Sequence, residues 1–190
     1  MRTSFAATAI AVALSAATAQ ADAVTDALAA AQAAYANGQL GQTAAELTNA
    51  TRAVQTIQQE RLASTLPQPA EGWTMTPGES SVDAAGFLGG MVGIMADATY
   101  SHSDGRSFTI SLMADSPTVA SMAGILGNPQ MMAMMGKVVK VGAIDMLDQD
   151  GSLSALVANR VLLQVQGADI ADMSAILATM DFAKLGQFDQ

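Results

Sequence analysis

Four methionines occupy the five consecutive positions 131–135. A thioether sulfur is soft and uncharged, so it suits Cu(I) better than hard cations such as Ca²⁺. If the run is helical, Met131 shares one face with Met134 and Met135, because side chains three or four residues apart are neighbours. These three residues form a candidate Cu(I) site, and the single histidine, His102, is a candidate nitrogen ligand.

The methionine run also has two interpretations without a metal. Methionine is flexible and unbranched, so a short helix of this kind can fill irregular space in a hydrophobic core. Methionine-rich surfaces can also repack against different partners, which makes an exposed binding surface the other interpretation. We therefore expect no cofactor, with Cu(I) as the alternative.

A second unusual segment, residues 84–96, contains four glycines and no charged residue. It is too short to span a bilayer, and its glycines oppose a stable helix in water. One interpretation is a loop or loose helix packed on a sheet. The other is an apolar segment that contacts a protein, a lipid or a membrane surface. Its candidate contact residues are Phe87, Leu88, Met91, Ile94 and Met95.

Residue types that many catalytic sites require are missing. The chain has no cysteine, which excludes thiol nucleophiles, thiolate metal sites and disulfides. A single histidine excludes any site that needs two imidazoles, and no nucleophile elbow or phosphate-binding glycine loop is present. We expect a protein that is not an enzyme. Paired carboxylates need no sequence motif, so a hydrolase of unrecognised type is a further alternative.

Composition and charge exclude two broad classes of protein. Hydrophobic residues make up 51% of the 190 positions and charged residues 13%, which excludes a fully disordered chain. Eight Lys and Arg face 17 Asp and Glu, a formal net charge of −9. This acidic balance argues against a nucleic-acid partner, since binding to phosphates requires clustered positive charge.

The first 21 residues have the pattern of an export signal. Arg2 is the only charged residue before Asp22, residues 5–14 are apolar, and Ala19-Gln20-Ala21 has the small-x-small form of a signal-peptidase site. The apolar core is shorter than the roughly 20 residues that a membrane-spanning helix needs. We predict cleavage near Ala21, no transmembrane span afterwards, and a periplasmic or secreted protein.

Residues 22–66 are predicted to form an antiparallel helical hairpin. The segment is rich in Ala, Gln, Leu and Glu, lacks proline, and contains the helix-stopping pair Asn37-Gly38. The predicted seam has helical spacing and consists of Val24, Leu28, Ala31, Tyr35, Leu40, Ala44, Leu47, Thr51 and Val54. Because this seam is narrow, we expect the hairpin to need a further partner: the second domain, another protein, or a copy of itself.

After a linker at residues 67–72, residues 73–190 are predicted to form an α+β domain. Short alternating runs flank Asp104-Gly105 and Asp150-Gly151, which are strong hairpin signals. Ser116-Pro117 and Asn128-Pro129 are typical helix starts, and a last helix is expected near Asp169. The pattern predicts an antiparallel sheet of about five to six strands, including one at 138–147, covered by helices on one face.

Together these features predict an exported, non-catalytic binding protein. Its glycine-rich and methionine-rich segments would contact a protein, a lipid or a membrane surface. A periplasmic Cu(I)-binding protein is the first alternative and an unrecognised hydrolase the second.

Overall fold

The computed structural model describes residues 9–78 and 93–190, with side chains from residue 22 onward. The chain divides into two compact units, Met1–Ile57 and Gln58–Gln190. The first contains most of a helical pair. The second contains the sheet, its helices and the end of the second helix of the pair, whose Leu62 is fully buried in the sheet's core.

The predicted helical hairpin is confirmed as helices α1 (Ala9–Ala36) and α2 (Leu40–Ala63). Helix α1 ends at Ala36, and Gly38, two residues later, has a φ of +72°. The Gln39 N–H donates to the Ala34 carbonyl and the Gly38 N–H to the Tyr35 carbonyl. This pair of bonds is the Schellman arrangement, and glycine suits its left-handed residue because it has no Cβ.

The predicted seam of the hairpin is wrong at its large residues. Among the described side chains of this unit, the buried ones are small: Ala31, which belongs to the predicted seam, together with Ala34 and Ala50. Five of the large residues expected in the seam are exposed instead: Leu28, Tyr35, Leu40, Leu47 and Val54. Small side chains let the two helix backbones approach closely. In an alanine-rich sequence, the face of small residues and the face of large residues have the same helical period, so periodicity alone does not identify the buried face.

The second unit is built on one antiparallel sheet in the order β1-β2-β3-β7-β6-β5-β4. Strands β1 to β3 form one meander and β4 to β7 another, and β3 pairs with β7 to join them. The strands are β1 (Trp73–Pro77), β2 (Ile94–His102), β3 (Ser107–Ala114), β4 (Lys137–Val141), β5 (Ile144–Gln149), β6 (Ser152–Val157) and β7 (Val161–Gln166).

The predicted fold class is confirmed, but the sheet has seven strands rather than five to six. The difference arises at 138–147, which we had expected to be one strand. A two-residue turn at Gly142-Ala143 divides this run into β4 and β5, with Val141 opposite Ile144. Gly142 has a φ of +58°, as the first central residue of a type II′ turn requires.

Four further helices lie in the described residues of this unit, three of them at predicted positions. They are α3 (Pro117–Leu126), α4 (Pro129–Met135), α5 (Ile170–Leu177) and α6 (Phe182–Gly186). The predicted caps are confirmed, since Ser116 Oγ accepts from the Val119 N–H at 3.2 Å and Asn128 Oδ1 accepts from the Gln130 N–H at 3.0 Å.

Helices lie on both faces of the sheet rather than on one, which corrects the prediction. Successive side chains of a strand point to opposite faces. On β7, Leu163 enters the larger core with Met173 of α5, whereas Leu162 enters a smaller core with Val119 of α3 and Met132 of α4. The α3–α4 pair therefore covers part of the second face.

Aromatic rings close the larger core at one end of the sheet. The Tyr100 ring stacks on Phe108 with 5.0 Å between centroids, and Trp73 meets Phe108 edge-on at 5.0 Å. The Tyr100 hydroxyl donates to the Pro67 carbonyl at 2.6 Å. Burial raises the pKa of Tyr100, so the neutral donor form is favoured.

Replacing Tyr100 by Phe should lower the free energy of unfolding by about 1–2 kcal/mol, because the Pro67 carbonyl loses its partner while the ring stays packed. Urea denaturation followed by circular dichroism measures the change. The matched control is Thr118→Val, which removes an exposed hydroxyl and whose effect should stay within about 0.5 kcal/mol. Equal effects of the two substitutions would contradict the assigned role of the Tyr100 hydroxyl.

Candidate functional site

An exposed apolar patch, which we call the methionine surface, is formed by Met131, Met134, Met135 and Val138. Their exposed fractions are 39%, 81%, 48% and 37%. The three methionines belong to α4, and Val138 is the second residue of β4, which begins directly after the helix. The structure thus brings together the three methionines that the sequence singled out.

The orientation of α4 follows from a single buried methionine. Met132 is 2% exposed and packs with Leu126, Leu147 and Leu162 in the smaller core. At about 100° per residue, burying position 132 directs positions 131, 134 and 135 away from the core within an arc of roughly 100°. The exposed side chains therefore form one continuous surface.

The end of α4 is held close to the sheet by Gly136. A Cβ at this position would lie 2.5 Å from the Asp148 carbonyl oxygen, so only glycine allows this approach. Gln149 Nε2 also donates to the Met135 carbonyl at 3.3 Å. These contacts keep the methionine surface in register with the neighbouring strands β4 and β5.

The methionine surface lies beside a free sheet edge. Strand β4 is last in the strand order, so one side of its backbone has no neighbouring strand among the described residues. Lys137 and Lys140 of β4 lie opposite Asp148 and Asp145 of β5 in the register. Lysines on an edge strand oppose uncontrolled pairing with other chains. Lys140 is two residues from Val138 and lies on the same face of β4, so it borders the apolar patch, whereas Lys137 points to the opposite face.

His102 does not lie with the methionines. It is at the end of β2, whereas α4 packs against β4 and β5. Three strands stand between β2 and β5, which separates the two places by about 19 Å at the usual strand spacing. A site that combines His102 with Met131, Met134 and Met135 is therefore excluded in this fold.

His102 belongs instead to a polar group at the β2–β3 turn. Its Nδ1 lies 2.9 Å from Asp104, and its ring packs on Trp73 with 5.1 Å between centroids. Arg106 binds Asp104 and also Asp172 of α5. The hydrogen bond from the Arg106 backbone N–H, helped by His102, lowers the pKa of Asp104 to about 2. This network fixes the turn against α5.

The glycine-rich segment can be located only in part. Phe87, Leu88 and Met91 lie outside the described residues. Ile94 and Met95 are the first two residues of β2 and are half-buried, and Ile94 packs against the larger core.

A cleft of about 500 Å³ lies at the start of α3 and is lined by residues that include Asp115, Ser116 and Arg160. Arg160 is bound by Asp115 and by Asp189, whose Oδ1 is 2.8 Å from Arg160 Nη1. The hydrogen bond with Asp115 has the largest effect on the pKa of Arg160, followed by the hydrogen bond with Asp189, and both raise it. Because two carboxylates already bind this guanidinium, the cleft is not an anion site.

Within residues 9–78 and 93–190, no three His, Asp or Glu side chains converge as a metal site would require. Within the same ranges, no helix is both long enough and apolar enough to cross a membrane.

Val138 is the one residue of the methionine surface that the sequence did not single out. The alternation of side chains along an edge strand does not show which of its two faces is exposed to solvent.

Comparison with known proteins gives no match: no family model, curated protein or solved structure matches this chain.

Exposure predicts the order in which the methionines oxidise. Dilute hydrogen peroxide should convert Met134 to the sulfoxide first and Met131 and Met135 next, while Met132 and Met173 react only when the protein unfolds. Tandem mass spectrometry of digested samples, taken over time, measures each rate. Oxidation of Met132 as fast as that of Met134 would contradict the orientation of α4.

Proposed function

We propose that this protein is an exported, non-catalytic binding protein whose methionine surface docks a protein partner. The observation that carries the proposal is the exposure of three methionines and Val138 on one continuous surface. The same short helix buries Met132 in the smaller core, and this packing fixes the orientation of the helix.

Exposing such a patch has an energetic cost that a partner would remove. A fully buried methionine or valine side chain is worth roughly 1.5–3 kcal/mol relative to water. Single exposed apolar residues are ordinary on protein surfaces, but contiguous ones bordered by polar residues are typical of interaction sites. Lys140, which lies on the same face of β4 as Val138, provides such a border here.

The chemistry of the surface favours a protein over a lipid. The formal net charge of −9 repels anionic membranes. Flexible methionines adapt their packing to another side-chain surface. The free edge of β4 adds backbone donors and acceptors, which a polypeptide can pair with and a lipid tail cannot.

Export is supported by the sequence of the first 21 residues. A lone Arg2, an apolar stretch and Ala19-Gln20-Ala21 are the three parts of a signal peptide. Mass spectrometry of the protein recovered from outside the cytoplasm should show a chain that begins at Asp22, and an intact N-terminus at Met1 would contradict this part of the proposal.

The docking proposal predicts a specific photo-crosslink in the native host. With p-benzoylphenylalanine in place of Met134, irradiation should give one protein adduct of defined mass. The adduct should be lost when Met131→Asp and Met135→Asp are added, because two charges in the patch oppose burial. Denaturing gels and mass spectrometry measure the adduct.

Two controls make the crosslink decisive. The crosslinking amino acid at the exposed position Thr118 should give no such adduct, and Ala120→Asp, which adds a charge on the exposed side of α3, should leave the Met134 adduct intact. A lipid adduct alone, or binding to phosphatidylcholine vesicles that Met131→Asp abolishes, would overturn the choice of a protein partner.

Cu(I) binding is a second candidate function, favoured by the shared exposed face of Met131, Met134 and Met135. Side chains three and four residues apart can bring three thioether sulfurs to one ion. Titration with Cu(I) against a competing chelator should then show binding that is lost on replacing the three methionines by Leu and kept in His102→Ala. Equal retention by wild type and the Leu variant would contradict it.

A further inference from the structure

The helical hairpin carries an exposed apolar stripe of its own, separate from the methionine surface. This hairpin stripe consists of Leu28, Tyr35, Leu40, Leu47 and Val54, each between 41% and 67% exposed. Among the described side chains of the first unit, the buried ones are alanines, whereas these five large side chains are exposed.

The spacing within α2 is that of a helix-packing face. Leu40, Ala44, Leu47, Thr51 and Val54 follow one another at intervals of four, three, four and three residues, and all five are exposed. An average interval of 3.5 residues is the repeat by which one helix packs along another. The stripe therefore fits a helical partner.

Both helices contribute to the same face of the hairpin. On α1, Leu28 and Tyr35 lie roughly a quarter turn around the axis from the buried alanines, at about 100° per residue. On α2, Leu47 is rotated from Ala50 about the helix axis by a similar angle. The direction of this rotation, viewed along the chain, is the same as on α1. Because the two helices run in opposite directions, equal rotations bring both sets to one side.

The order of side chains along α2 is self-complementary. It runs large, small, large, small, large, from Leu40 through Leu47 to Val54, and it reads the same in both directions. With a two-fold axis at Leu47, two antiparallel copies set Leu47 against its own copy, Leu40 against Val54 and Ala44 against Thr51, so every position of the stripe meets another uncharged position. A two-fold dimer needs a surface that is complementary to itself in this way.

Charge also permits two copies to meet here. No residue of the hairpin stripe is charged, and neither are the α2 positions beside it, which are Gly41, Thr43, Thr48, Ala50, Gln55 and Ile57. For a chain with a formal net charge of −9, an uncharged face is where self-repulsion is weakest.

We infer that the hairpin stripe is the interface of a homodimer, in which two copies of the hairpin form an antiparallel four-helix bundle. The occupant is a second copy of this chain, related to the first by a two-fold axis near Leu47. The interface shares no residue with the methionine surface.

The first test is the molecular mass in solution. Sedimentation equilibrium of the full purified protein should give twice the mass of one chain. Leu47→Asp should give the mass of a single chain with unchanged helical circular dichroism. The matched control is Ala45→Asp, which is also exposed on α2 but lies away from the stripe, and it should keep the dimer. A wild-type monomer, or a dimer that survives Leu47→Asp, would overturn the inference.

The second test uses the absence of native cysteine. A Leu47→Cys variant has one thiol per chain, and near a two-fold axis that thiol meets its own copy. Mild oxidation should link most of the protein into a disulfide dimer on non-reducing gels, whereas Ala45→Cys should remain mostly unlinked. Equal linking of the two variants would contradict the assigned face, even if the protein is dimeric.

Discussion

The pairing of β3 with β7 is the interaction on which the second unit depends. It joins two meanders that are distant in sequence, with Ile110 opposite Val165 and Leu112 opposite Leu163. All four side chains are buried in the larger core. Without this contact, the apolar faces of the two meanders would not form one continuous core.

The same strand also determines where the methionine surface lies. Because side chains alternate along β7, Leu162 faces the side opposite Leu163 and forms the floor of the smaller core. Helices α3 and α4 pack on that floor, and Met132 is the residue of α4 that enters it. The exposure of Met134 is thus a consequence of sheet pairing, transmitted through one buried methionine.

Local signals in the sequence predicted the elements well but not their environment. Asp150-Gly151 forms the expected tight turn, with φ of +52° and +83°, because turn chemistry acts within a few residues. The caps at Ser116 and Asn128 were predictable for the same reason. By contrast, a seven-residue helix has no periodicity that decides which methionine is buried. The position of His102 relative to α4 required the strand order, which sequence patterns do not encode.

The proposed docking requires the methionine surface to be free in the isolated protein and covered in the cell. Methyl NMR of protein labelled with ¹³C at its methionine methyl groups reports on this directly, since each methyl senses its own surroundings. On moving from buffer to the compartment where the protein accumulates, the signals of Met131, Met134 and Met135 should shift or broaden while that of Met132 stays unchanged. Unaltered signals for all four, or a uniform change across every methionine, would contradict the account.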